Sequence, residues 1–154
     1  MNADDPIAYF ITWSVYGTHL RGDVRGWRER RKGNQLPQPR LAEWHDERLN
    51  HAVILLLPEH RQAVEAECRK HSDHRGWHLW AINARTNHVH AVISATQHAG
   101  NTVRDQLKAN CTRRLRGEWN DFSDRPVWSV GDDWECINNI DDLESVCFYV
   151  RELQ

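Results

Sequence analysis

The sequence predicts an α+β domain built on an antiparallel sheet, and three observations lead there. Segments rich in β-branched and aromatic residues recur at "IAYFITWSVY" (7–16), "WHLWAINA" (77–84) and "HVHAVISA" (88–95). Helical patterns at 58–74 and from Thr102 to Gly117 separate them. A further helical stretch, "DLESVCFYVRELQ", closes the chain at 142–154. The order strand, helix, strand, strand, helix, strand, terminal helix is a split β-α-β arrangement of the ferredoxin-like kind. A single domain, 1–154, is expected, since 154 residues suffice for one substantial core.

The first strand is expected over 7–16. Residues 17–39 then read as a polar loop rich in Gly and Pro, with the basic run "RGDVRGWRERRKG" inside it. A loop of that length in a compact domain is usually functional or mobile. "AVILLL" (52–57) reads as a short strand. Pro58 suits the first turn of the helix that follows, and Gly76 suits its stop. Ala63, Val64, Cys68 and His71 form that helix's inward stripe. The strands 77–84 and 88–95, joined by Arg85-Thr86-Asn87, read as a hairpin. Thr102 with Asp105 opens the second helix in capping-box style. Short strands are expected at "VWSV" (127–130) and "WECIN" (134–138). Asp141 with Glu144 is the expected capping box of the last helix.

Composition narrows the class. Charged residues are 27% and hydrophobic residues 40%, which is globular rather than disordered. No apolar run approaches the ~20 residues of a membrane span, so no membrane partner is expected. The stretch "MNADDPIAYF" lacks the cationic start of a secretory signal, which makes a cytoplasmic location the expectation. Cys68, Cys111, Cys136 and Cys147 are far apart and read as buried reduced thiols. The net charge of −2 does not announce nucleic acid, but basic residues cluster at 21–33 and 113–116.

The chemistry concentrates in "RTNHVHAVIS" (85–94). Side chains alternate along a strand, so His88 and His90 share one face while Val89, Ala91 and Ile93 take the other. Two imidazoles on one face can share a divalent metal; they can equally be polar residues on a wet surface. The histidines are expected on a central strand, on the face away from the two main helices. The terminal helix is then free to cross that face, and it carries Tyr149. The bland reading of Tyr149 is a core aromatic beside Phe148.

These residues resemble a known family. "NHVH" followed by a late helical tyrosine in "FYVRELQ" is similar to the single-tyrosine HUH transposases, and more closely to the REP-associated tyrosine transposases and their insertion-sequence relatives. "FITWSVYGTHLRGDVRGW", "RGWHLWAINARTNHVHAVISA" and "LKANCTRRL" resemble that group in order, so the likeness spans about residues 7–154. It implies a nuclease of single-stranded DNA that acts beside a hairpin, commonly as a homodimer. Tyr149 would attack a phosphodiester, leaving a 5′-phosphotyrosine link and a free 3′-OH. His88, His90 and a polar side chain from the tyrosine helix would hold Mg²⁺ or Mn²⁺. Relatives place Gln or Asn four residues after the tyrosine, where this chain has Leu153. Glu152 lies roughly 60° around a regular helix from Tyr149 and Gln154 roughly 140°, so the third ligand stays open between them.

Phosphate contacts are candidate roles for Lys108, Arg113 and Arg114, and for Arg28, Arg30 and Arg31 in the long loop; each also reads as a solvated cation. Trp13, Trp27 or Trp128 is a candidate base-stacking platform, although core packing is the commoner use. Two alternatives remain beside the transposase. One is a catalytically silent DNA-binding relative. The other is a zinc-binding structural module using Cys68, His71 and His74, whose spacing drifts around a helix and converges poorly on one ion.

Overall fold

A computed structural model of the chain describes residues 5–18, 27–29, 33–35, 40, 49–130 and 133–152. The elements are β1 (Ala8–Ser14), β2 (Trp27–Glu29), β3 (Gly33–Gln35), α1 (Pro58–Arg75), β4 (His78–Ala84) and β5 (His88–Ser94). They continue with α2 (Gly100–Glu118), a 3₁₀ turn (Asn120–Phe122), β6 (Asp133–Ile137) and α3 (Ile140–Glu152). The main sheet has the order β4-β5-β1-β6, with every neighbouring pair antiparallel. Its two central strands are therefore the first and third of its four, which is the ferredoxin-like arrangement the sequence predicts. None of the described helices is long and apolar enough to cross a membrane.

Strand alternation builds two cores. Tyr9, Ile11 and Trp13 of β1 and Val89, Ala91 and Ile93 of β5 point to one face. There they meet Val64 and Cys68 of α1 and Val103, Leu107, Cys111 and Leu115 of α2. The α2 residues recur every fourth position, so they form one stripe along the helix. On the other face Ala8, Ala81, Val92 and Ile137 meet Leu143, Cys147 and Val150 of α3. This second core is small, but Val150 is fully buried in it, and burying such a side chain is worth about 1.5–3 kcal/mol.

Helix ends follow local chemistry. The α1 helix starts with Pro58, and the Leu57 N–H donates to His60 Nδ1 at 3.0 Å. It ends on Gly76 at φ 72°, a left-handed residue that glycine adopts without a Cβ clash. The Gly76 N–H donates to the Asp73 carbonyl and the Trp77 N–H to the Ser72 carbonyl, which closes a Schellman motif.

Several expectations are corrected. Residues 52–57 form no strand. Only Leu56 is buried there, and its N–H donates to the Thr86 carbonyl at 2.8 Å. Apolar composition mimicked a strand in a segment whose Val53, Leu55 and Leu57 face outward. "VWSV" contributes a single bridge, Val15 to Trp128. Within the expected loop 17–39, β2 and β3 pair as a two-stranded ribbon; strands of three residues are too short for alternation to announce them. The cap of α2 is Ala99, not Thr102, and Asp105 instead accepts from Arg104 at 2.9 Å. The N-cap of α3 is Asn139, two residues earlier than expected. Asn139 Oδ1 accepts the Asp142 N–H at 2.8 Å, and Asn139 Nδ2 donates to the Asp142 carboxylate at 2.8 Å. Cys136 is exposed, whereas Cys68, Cys111 and Cys147 are buried. Trp13 and Trp128 are buried edge to face against each other at 6.0 Å, so neither is a stacking platform. Trp27 contributes only its backbone to the described residues.

The Trp134 ring of β6 lies directly over Gly100 at the start of α2, where a Cβ would collide with it. Gly100→Ala should therefore destabilise the fold by about 1–3 kcal/mol, as overpacked sites do. Urea unfolding of the two proteins measures it, and equal midpoints would refute the packing account.

Candidate active site

The site is built at one end of β5. His88 is the first residue of that strand and follows the turn Arg85–Asn87 directly. Three backbone bonds hold the turn. Arg85 N–H donates to the His88 carbonyl, Val15 N–H to the Asn87 carbonyl and Leu56 N–H to the Thr86 carbonyl, each at 2.8 Å. The 52–57 segment thus braces the hairpin rather than joining the sheet.

Register then places His90 between Asn83 of β4 and Thr12 of β1, and His88 opposite Ser14. The two imidazoles sit 4.5 Å apart, nearly perpendicular. Thr12 Oγ1 lies 3.0 Å from His90 Nδ1, and Asn87 Oδ1 lies 2.6 Å from His88 Nδ1. The Phe10 ring stacks almost parallel on His90 at 5.3 Å. His90 is buried, and its pKa is pushed down to about 3, chiefly by desolvation and then by His88 and Arg85. It is therefore neutral near pH 7, which is the form that can ligate a metal.

The α3 helix supplies Tyr149. Leu143, Cys147 and Val150 turn inward, and Tyr149 flanks that stripe with 43% of its surface exposed. Its ring stands edge-on to His90 at 6.0 Å and to Phe10 at 6.3 Å. Phe148 is exposed as well, so the two aromatics do not form a core pair. Tyrosine, histidines and supporting phenylalanine thus come together on one face within one chain.

Other expected site residues are not gathered there. Glu152 is exposed on the last turn of α3, and among the described residues no three His, Cys, Asp or Glu side chains converge as a metal site. Gln154 lies outside the described residues, as do Arg30 and Arg31 and the side chain of Arg28. Lys108, Arg113 and Arg114 stand on α2, in the helix layer of the opposite face. Lys108 donates to the Ser129 carbonyl at 2.9 Å, and Arg113 bonds Asn110. Arg114 pairs with Glu118 at 2.7 Å and with Glu67 at 3.5 Å. The zinc alternative dissolves in the same way. Cys68 Sγ faces Cys111 Sγ at 3.7 Å, while His71 bonds Gln106 and Asn110 from α2. Sequence reasoning missed Thr12. Its only signal was a polar residue on the alternating pattern of β1, and register alone assigns it to His90.

No protein-family model and no curated protein matches the chain. Among solved structures, a REP-associated tyrosine transposase bound to a REP hairpin aligns over 97% of this chain and 67% of that chain, with TM-score 0.51 and 13% identity. A crystal structure of a Deinococcus radiodurans protein assigned as a transposase aligns over 94% of this chain and 88% of that one, with TM-score 0.49 and 12% identity. The first alignment establishes a shared fold.

Asn83 Nδ2 donates to the Val150 carbonyl at 2.8 Å, near the end of α3. Carbonyls of a last helical turn have no partner within the helix, so this bond fastens the tyrosine's turn to the sheet. Asn83→Ala should cost about 1 kcal/mol and speed amide hydrogen exchange around residues 148–152. Exchange unchanged in that turn would show that the apolar stripe alone holds it.

Proposed function

We propose that this chain is a single-stranded DNA transposase or endonuclease of the single-tyrosine HUH type. It would cut and rejoin DNA beside a hairpin through a covalent 5′-phosphotyrosine intermediate. The observation that carries this reading is the exposed Tyr149 standing edge-on over the neutral His90, with His88 beside it. The shared fold with a hairpin-bound REP-associated tyrosine transposase supports it.

The paired imidazoles suit a divalent cation such as Mg²⁺ or Mn²⁺, which would need at least one further donor. Two adjacent imidazoles would supply two ligands and leave positions for DNA oxygens. The third ligand would be Gln154 or Glu152, and Glu152 would have to turn in from the exposed last turn of α3. A cation held there offsets charge on the phosphate oxygens and orients the phosphorus.

The protein's own groups do the rest. Tyr149 Oη forms a bond to phosphorus as the bond from phosphorus to the 3′ oxygen breaks. The hydroxyl proton passes from the tyrosine to solvent, and the departing 3′ oxygen takes one up from solvent to become a 3′-OH. The tyrosyl phosphodiester conserves the broken linkage for rejoining, which hydrolysis by water would not do. Phe10 holds the His90 plane and meets the Tyr149 ring, so one phenylalanine aligns nucleophile and imidazole. Because Tyr149 stands over the histidines of its own chain, each subunit of the homodimer implied by the resemblance would carry its own centre. The basic residues 28, 30 and 31 remain candidates for the hairpin backbone. Lys108 and Arg114 would first have to leave their internal partners.

The test uses a single-stranded hairpin with Mg²⁺ or Mn²⁺. Wild type should yield a denaturation-resistant protein–DNA adduct on the peptide that contains Tyr149. Tyr149→Phe should lose the adduct and keep DNA binding, while His88→Ala and His90→Ala should lose cleavage with the fold retained. An adduct on Tyr9 or Tyr16 would sink the assignment. Cleavage persisting in Tyr149→Phe would make water the nucleophile.

A further inference from the structure

We infer that Thr12 and Asn87 are positioning residues: they hold His90 and His88 in the Nδ1–H tautomer, so that both imidazoles present Nε2 to the cation. This rests on the proposed function for the identity of the ligand. Within the chain the Asn87 carboxamide sets the His88 tautomer, and in this proposal the Thr12 hydroxyl, which can donate or accept, takes the accepting role toward His90.

A carboxamide oxygen can only accept a hydrogen bond. Asn87 Oδ1 lies 2.6 Å from His88 Nδ1, so that nitrogen carries the proton and the lone pair sits on Nε2. Asn87 is itself held, because its carbonyl accepts from Val15 N–H at 2.8 Å and from Thr18 Oγ1 at 3.1 Å. Thr12 Oγ1 lies 3.0 Å from His90 Nδ1, and its hydroxyl accepts from that nitrogen whenever Nε2 gives its lone pair to a cation. Thr12 and His90 are register partners on adjacent strands. Neither backbone position can shift against the other without slipping the β1–β5 ladder, and a one-residue slip would put the two side chains on opposite faces. The Phe10 stack fixes the ring plane of His90 as well. Sheet register, turn and stacked ring thus together choose which nitrogen faces the open side.

A valine at position 12 would keep the branched shape and remove the acceptor. The buried Nδ1–H would then be unsatisfied, and the ring would gain by moving its proton or turning over.

The experiment uses the full chain, metal-free, with ¹⁵N-labelled histidine. Long-range ¹H–¹⁵N correlation reads each tautomer, and electron paramagnetic resonance follows Mn²⁺ titration. Wild type should show both His88 and His90 as Nδ1–H. Thr12→Val should mix the His90 tautomers and weaken Mn²⁺ binding about 10- to 100-fold, the range for losing a ligand's supporting hydrogen bond. Thr12→Ser should restore both properties, and Asn87→Ala should act on His88 alone. Circular dichroism of each variant confirms the fold. An Nε2–H tautomer at either histidine in wild type, or Mn²⁺ binding by Thr12→Val equal to wild type, would overturn the inference. If wild type binds no Mn²⁺, the cation reading of the site falls, and the tautomers in the metal-free chain decide the positioning role by themselves.

Discussion

Everything at this site depends on one constraint, the two-residue period of β5. The strand is central, so both of its edges are paired, and each face carries a different task. Val89, Ala91 and Ile93 are fully buried against α1 and α2 and hold the main core. His88 and His90 fall on the other face because they alternate with those residues. The more firmly the apolar set is buried, the less freedom the imidazoles have to move. A slip that exposed His90 further would push Val89 and Ala91 out of the core, at about 25 cal/mol for each Å² of apolar surface returned to water. The precision of the polar pair is thus underwritten by apolar packing on the far side of the sheet.

The helix that carries the tyrosine obeys a related trade. To dock, α3 needs an apolar stripe, and Leu143, Cys147 and Val150 provide it. To present a reactive hydroxyl, it needs a residue beside the stripe rather than in it. Tyr149, adjacent to Val150, meets that need: its ring edge contacts Phe10 and His90 while much of its surface faces outward. The stripe is short, so the docking is modest, and two polar devices supplement it. Asn139 caps the start of the helix, and Asn83 takes a carbonyl near its end.

How much of this was legible in the sequence follows the range of each interaction. The two long helices and the β4–β5 hairpin were legible because their signals are local: periodicity, Pro58, Gly76 and a three-residue turn. The pairing of His88 with His90, and a late helix bringing Tyr149 to their face, followed from alternation and element order. The 52–57 segment was misread because apolar composition does not say whether a ladder partner exists; its one backbone bond to the hairpin turn is a tertiary fact. The α3 cap was placed two residues late because Asp141–Glu144 and Asn139–Asp142 both fit the pattern, and only the chain's entry from β6 selects between them. Cations on α2 read equally as phosphate contacts or as solvated side chains until packing supplied Glu67, Glu118 and the Ser129 carbonyl as partners.

Thr12 shows what lies beyond a one-dimensional reading. In "AYFITWS" it is an unremarked β-branched residue with good strand propensity. Its importance arises only when β1 lies antiparallel to β5 with residue 12 opposite residue 90. The same register sets Phe10 opposite Val92 and leaves its ring stacked on His90. One strand thereby contributes both the hydrogen-bond partner and the aromatic wall of a single imidazole, from positions two residues apart on one face. Ile11, between them, points to the other core and is fully buried. A strand committed that strongly through its odd positions can carry a threonine at an even one with little loss of stability, and this is why the sheet can hold a polar site at its centre.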